Sequence, residues 1–128
     1  MKIYTSYFAN LKNLPDTIVP ISICGKAPDG YTGWQYKKLA PKWSFFSIYK
    51  ETGDEDYYRK NFKELVTDKL DPNVVVEELS RYSEGKDICL ICYEKPDDFC
   101  HRHIVAEWLT DNTEYKVEEY KKYGHTGN

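Results

Sequence analysis

Asp87-Ile88-Cys89-Leu90-Ile91-Cys92-Tyr93 is apolar at every position between its first and last residues. A strand with one face in water alternates polar and apolar side chains; a strand without that alternation is covered on both faces, as in the middle of a mostly parallel α/β sheet. The rest of the chain supplies what such a strand needs. Lys2-Ile3-Tyr4-Thr5-Ser6-Tyr7-Phe8 and Thr17-Ile18-Val19-Pro20-Ile21-Ser22-Ile23-Cys24 are β-branched and aromatic runs, the second bounded by Pro15-Asp16 and Gly25. Pro20 lacks a ladder hydrogen bond, so that strand needs an edge, a bulge or a start near it. Tyr115-Lys116-Val117 is a last strand candidate.

Helical periods separate these runs. Tyr58, Phe62, Leu65, Val66 and Leu70 fall on one stripe, with Asp54, Glu55 and Asp56 on the first turn, which predicts a helix over 54–70. Asp71-Pro72 caps and starts a second, over about 72–84, with Val75, Leu79 and Tyr82 on one side and Gly85 as its stop. His101, Ile104, Val105 and Trp108 share a face of a third, over about 99–110, with Asp97 or Asp98 as its cap. The turn formers Gly25, Pro28, Asp29, Gly30 and Gly33 make the stretch from Gly25 to Pro41 a long functional loop. The 128 residues suit a single domain. The expected fold is α/β: one small three-layer domain with a mostly parallel central sheet flanked by helices, and a frayed tail after about residue 118.

Composition closes other routes. With 41% hydrophobic and 30% charged residues the chain is neither collagen-like nor broadly disordered. No apolar run approaches membrane-spanning length and no export signal follows Met1, so a cytoplasmic protein without a membrane partner is expected. The net charge of −3 creates no global attraction to polyanions, so any phosphate or nucleic-acid site is local. The four cysteines are expected to be reduced, with Cys24 and Cys89 packing the core.

Chemistry concentrates where the central strand turns into the third helix. Alternation puts Leu90, Cys92 and Glu94 on one side of the strand, and Cys100, His101 and Arg102 fan around the first helical turn. Three readings compete. In the first, Arg102 and the free helix N–H groups hold a phosphate or carboxylate, with Glu94 orienting Arg102 or a ribose hydroxyl. The second is a metal site of Cys92, Cys100, His101 and His103, with zinc or another transition metal; its spacing lacks a paired Cys-x-x-Cys knuckle. The third is thiol chemistry at a cysteine beside His and Arg on a helix start. Against all three stands a structural explanation, in which His101 packs in the core and Arg102 pairs with Glu94 as a clamp between strand and helix.

Cys92-Tyr93-Glu94-Lys95, then Cys100-His101-Arg102-His103 with Ala106-Glu107-Trp108-Leu109 behind, resembles the signature of the 488 domain-of-unknown-function family. Gly33-Trp34, Leu39-Ala40-Pro41 and Tyr57-Tyr58-Arg59-Lys60-Asn61-Phe62 resemble that family's earlier blocks in the same order, so the likeness covers roughly residues 1–110. The resemblance implies that Cys92, Glu94, Cys100, His101 and Arg102 act as a unit. Lys42-Trp43 departs from the small polar residue expected after Ala-Pro, which implies a different pocket rim.

The leading expectation is therefore binding of a nucleotide-like or other phosphorylated ligand, extending to hydrolase or transferase activity. Arg102 holds the anion, Glu94 and His101 transfer protons, Cys92 and Cys100 line the site, and Trp34 with Lys37 or Lys38 covers a base or screens a phosphate. No cofactor is required by this reading. The alternatives are a non-enzymatic module for a protein or single-stranded nucleic acid, with the Cys-His-Arg segment as a clamp, and a metal- or thiol-dependent enzyme.

Overall fold

The computed structural model describes residues 1–121, and its five strands form one all-parallel sheet. They are β1 (Ile3–Tyr7), β2 (Ile18–Ser22), β3 (Trp34–Gln35), β4 (Asp87–Cys92) and β5 (Glu118–Glu119), in the order β3-β2-β4-β1-β5. The doubly apolar run is thus the central strand: from Ile88 to Cys92 every residue of β4 is buried. It pairs with β1 from Ile3↔Ile88 to Tyr7↔Cys92, and with β2 from Ile18↔Asp87 to Ser22↔Ile91.

Pro20 fits inside the sheet for a local reason. The Ile23 amide donates to Ile91 on β4, while the Ser22 carbonyl accepts from Tyr36 on the opposite side. Alternation therefore turns Pro20, like Ser22, away from β4, and β3 pairs only with Ile21 and Ser22. No ladder bond is missing there. The Tyr31 hydroxyl, which donates to the Trp34 carbonyl at 2.7 Å, lies 3.4 Å from the Pro20 carbonyl. It occupies the space a Cβ on Gly33 would fill.

The two faces of the sheet are covered unequally. Four helices lie on one: α1 (Trp43–Thr52), α2 (Glu55–Leu65), α3 (Pro72–Ser83) and α4 (His101–Asn112). They supply Phe45, Tyr58, Phe62, Val75, Leu79, Val105 and Leu109 to a core with Ile3, Ile88, Leu90 and Cys92. On the other face Ile18, Cys89 and Ile91 are covered by Tyr4, Phe8, Leu11, Leu14 and Tyr120, with the 3-10 segment Phe8–Asn13 as the layer.

Local chemistry sets the helix ends. The Asp54 carboxylate accepts from the Tyr57 amide, and Asp71 accepts from Asn73 and Val74 with Pro72 in the first turn. Each such cap contributes about 1 kcal/mol. Glu84 and Gly85 at φ 54° and 81° end α3. The helix expected over 54–70 stops at Leu65, and a 3-10 turn, Thr67–Lys69, carries the chain to Pro72. The apolar stripe runs through that break, since Val66 is still buried. Helix α1 was not expected at all. The last strand is Glu118–Glu119 rather than Tyr115–Val117, and of the expected frayed tail, residues 122–128 lie outside the described residues. Among the described residues no helix is long and apolar enough to cross a membrane.

Candidate functional site

Because all strands are parallel, the carboxyl ends of β1 and β4 lie side by side, with Tyr7 opposite Cys92. From there the chain after β1 leaves over the smaller core through Phe8 and Leu11, while the chain after β4 leaves over the helical face into α4. That divergence is the switch point at which open α/β sheets bind ligands.

At this edge Cys92, the last residue of β4, is joined by a disulfide to Cys100, which immediately precedes α4. The expectation of four reduced thiols is corrected here: strand, loop and helix double back so that two cysteines eight residues apart meet. Neither Asp97 nor Asp98 caps α4, for Cys100 occupies the N-cap position with its sulfur committed to Cys92. Cys24 and Cys89 are free and buried, as the sequence indicates. Burial pushes the Cys24 thiol up to about 12, and Cys89 rises for the same reason.

His101 is packed in the interior, 6% exposed. Its Nε2–H donates to the Ile23 carbonyl at 2.8 Å. A carbonyl can only accept, so Nε2 carries the proton and Nδ1 presents a lone pair, 3.9 Å from Cys92 Sγ. Burial, with Arg102 as a further cause, lowers the His101 pKa to about 4. The imidazole is therefore neutral at neutral pH.

Arg102 sits differently from the anion holder the sequence led us to expect. It has no exposed surface. Its Nε and Nη2 donate to the two carboxylate oxygens of Glu119 on β5, each at 3.1 Å. Nη1 donates to the main-chain carbonyl of Glu94 at 2.6 Å and lies 3.7 Å from Cys92 Sγ. The guanidinium also lies over the Tyr7 ring, 5.8 Å from its centroid. The clamp between strand and helix exists, but its carboxylate partner is Glu119 and not Glu94. Glu119 also accepts from the Thr5 hydroxyl at 2.8 Å, which locks β5 against β1.

Beside the disulfide opens a pocket of about 360 Å³. Its walls include Trp43, Phe46, Tyr49, Tyr58, Tyr93 and Phe99, and its lining also holds Glu94, His101 and the two bonded cysteines. Tyr58 meets Tyr49 and Phe99 edge-on, with ring centroids 5.0 Å away in both cases. Arg102 lies behind this pocket and does not line it. The Glu94 carboxylate is exposed, with Oε1 3.5 Å from Cys92 Sγ.

Three further site candidates lie elsewhere. Trp34 is half exposed and packs on Tyr82 of α3, and Lys37 lines a hollow beside α3. Lys38 pairs with Glu78 at 3.0 Å. The positions they were expected to fill are taken by Lys26 and by Trp43, Phe46 and Tyr49 of α1. The signal for α1 was in the chain, since Trp43, Phe46 and Tyr49 recur at intervals of three behind Pro41. The altered rim at Lys42-Trp43 is the start of that wall. Of the expected metal ligands, Cys92, Cys100 and His101 place their ligand atoms within 4.8 Å of one another. His103 faces a separate hollow with Thr5, Glu107, Asp111 and Glu119, where its buried Nε2 has no hydrogen-bond partner. The disulfide leaves neither sulfur as a thiolate ligand.

No curated protein and no solved structure matches the chain. A family model described as "DUF488-N3a: Active DUF488-N3 subclade" matches residues 11–113, which takes in α1 to α4 and the whole of the strand, loop and helix segment. With the cysteine, glutamate, histidine and arginine of that segment gathered at one sheet edge, the chain belongs to the DUF488 family.

Proposed function

We propose that this domain binds a small ligand carrying a flat, largely apolar ring, of the nucleoside or nucleotide class, in the pocket at the carboxyl end of β4. The observation that carries the reading is the pocket's lining: six aromatic residues line about 360 Å³, and Glu94 Oε1 and His101 Nδ1 come within 3.5 and 3.9 Å of Cys92 Sγ beside them. Rings of this kind stack on or meet aromatic side chains edge-on, and their polar edges are read by a few placed acceptors. Glu94 is the exposed carboxylate there and serves as acceptor for ring N–H groups or as the proton acceptor in a transfer step. Lys26 is the one lysine or arginine among the described lining residues, and it faces any phosphate the ligand carries at the rim. Arg102 supports the site from behind, by fixing the Glu94 main chain and Cys92. In this respect the clamp and the binding site are parts of one arrangement.

Calorimetric titration with nucleosides, their monophosphates and inorganic phosphate tests the reading. A nucleoside should bind, its phosphate should add a modest increment, and inorganic phosphate alone should not register. Phe46→Ala should weaken nucleoside binding by about tenfold while leaving the fold intact. Equal binding of inorganic phosphate and nucleotide, or no loss in Phe46→Ala, would overturn the ring-first assignment.

A further inference from the structure

We propose that Cys92 and Cys100 are a redox-active pair that exchanges with small disulfides and dithiols admitted through the aromatic pocket, Cys92 acting as nucleophile and Cys100 as resolving thiol. This activity is separate from ring binding and does not require it.

Four observations carry the proposal. Cys92 and Cys100 line the pocket as a bonded pair; Cys24 lines it too, but as a lone thiol whose pKa burial pushes up to about 12, and Cys89 lies off it. The pair has little exposed surface, 1% and 3%, so a reagent reaches it only by way of the pocket. The second is the fixed His101 ring, whose Nδ1 lone pair faces Cys92 Sγ at 3.9 Å while Nε2 is held by Ile23. The third is Arg102 Nη1, 3.7 Å from the same sulfur, a cation beside the atom that would carry negative charge. The fourth is the placement of the partners: Cys92 ends the most buried strand, while Cys100 ends the loop that leads into α4. The anchored sulfur is surrounded by a base and a cation, and the loop sulfur is the one that can come and go. The ionisable groups around Cys92 Sγ are thus Glu94, Arg102 and His101, with Glu119 paired behind the guanidinium.

The cycle balances without any further reagent. In the dithiol form the Cys92 thiol donates a hydrogen bond to the neutral His101 at Nδ1, and its sulfur attacks one sulfur of a substrate disulfide. The substrate S–S bond breaks, and the proton of Cys92 passes to the first substrate thiolate as it leaves, so His101 stays neutral throughout. The Cys100 thiol then attacks Cys92 Sγ in the mixed disulfide, and the second substrate thiol departs with the proton of Cys100. The Cys92–Cys100 bond is formed and two electrons have passed to the substrate. A small dithiol run through the reverse steps restores the reduced pair and becomes a disulfide itself.

The test uses dithiodipyridine, whose released thiol absorbs light, on the reduced full chain and three variants. Wild type should release two equivalents per protein and end with a Cys92–Cys100 cross-link in its peptide map, with Cys24 and Cys89 unmodified. Cys100→Ser should stop after one equivalent, with the mixed disulfide on Cys92. Cys92→Ser should react at least about tenfold more slowly, and His101→Gln should slow the first step while retaining the cross-link as end point. The proposal fails if Cys92→Ser reacts as fast as wild type, if all four cysteines react together, or if the reduced protein retains zinc that protects both thiols. A nucleoside titration on the same samples is independent of these rates, so failure of one reading is separable from failure of the other.

Discussion

Replacing Glu119 isolates the charge of Arg102 and separates the clamp from an anion site. The guanidinium has no exposed surface, and the Glu119 carboxylate, 13% exposed, accepts from both Nε and Nη2. Removing one partner of a buried pair costs about 3–5 kcal/mol, most of it from the charge left behind. The retained bond from Nη1 to the Glu94 carbonyl and the slight exposure of Glu119 place Glu119→Ala at the lower end, about 3 kcal/mol. For a chain of this length that corresponds to a fall in Tm of roughly 10 °C. Glu94→Ala provides the contrast, since its main-chain carbonyl serves Arg102 whatever the side chain, and should change stability by less than about 0.5 kcal/mol. Urea titration followed by circular dichroism measures both. A loss below about 1 kcal/mol in Glu119→Ala, or a larger loss in Glu94→Ala, would refute the assignment of the clamp. So would equal stabilisation of wild type and Glu119→Ala by inorganic phosphate, because it would mean that Arg102 is open to anions in the native protein.

Other consequences follow from the same geometry. Burial lowers the His101 pKa from 6.5 to about 4, so between these values the unfolded chain binds more protons. Stability should be fully present above pH 6.5 and fall by about 3 kcal/mol toward pH 4; His101→Gln should flatten that slope in denaturant midpoints taken across the range. The buried Tyr36 hydroxyl donates to Glu78, and Tyr36→Phe should cost about 1 kcal/mol by thermal melting, without affecting nucleoside affinity. Cys24 and Cys89 should resist iodoacetamide in the native protein and react once urea unfolds it; labelling of either in the folded state would contradict their burial.

What the sequence disclosed and what it concealed divide along a physical line. The parallel sheet could be read because burial on both faces forces β4 to be apolar at Ile88 through Cys92, and nothing but position in the sheet explains that run. The caps at Asp54 and Asp71 were readable because they act over two or three residues. The grouping of Cys92, Glu94, Cys100 and His101 was readable for a similar reason, since one strand, one loop and one helix carry them all. Partners supplied from far along the chain leave no such trace. Glu119 lies in a two-residue strand of two glutamates, the opposite of a strand pattern, and its carboxylate is held there by Arg102 and Thr5. Helix α1 has its own explanation: its aromatic residues are divided between the core, through Phe45, and the pocket, through Trp43, Phe46 and Tyr49. A helix that buries one aromatic face and offers another to a ligand shows no clean polar side, and the departure at Lys42-Trp43 marks where that second face begins. Trp43, Phe46 and Tyr49, which the search for one apolar stripe passed over, line the site, as is expected where a helix gives up a clean polar side to shape a pocket.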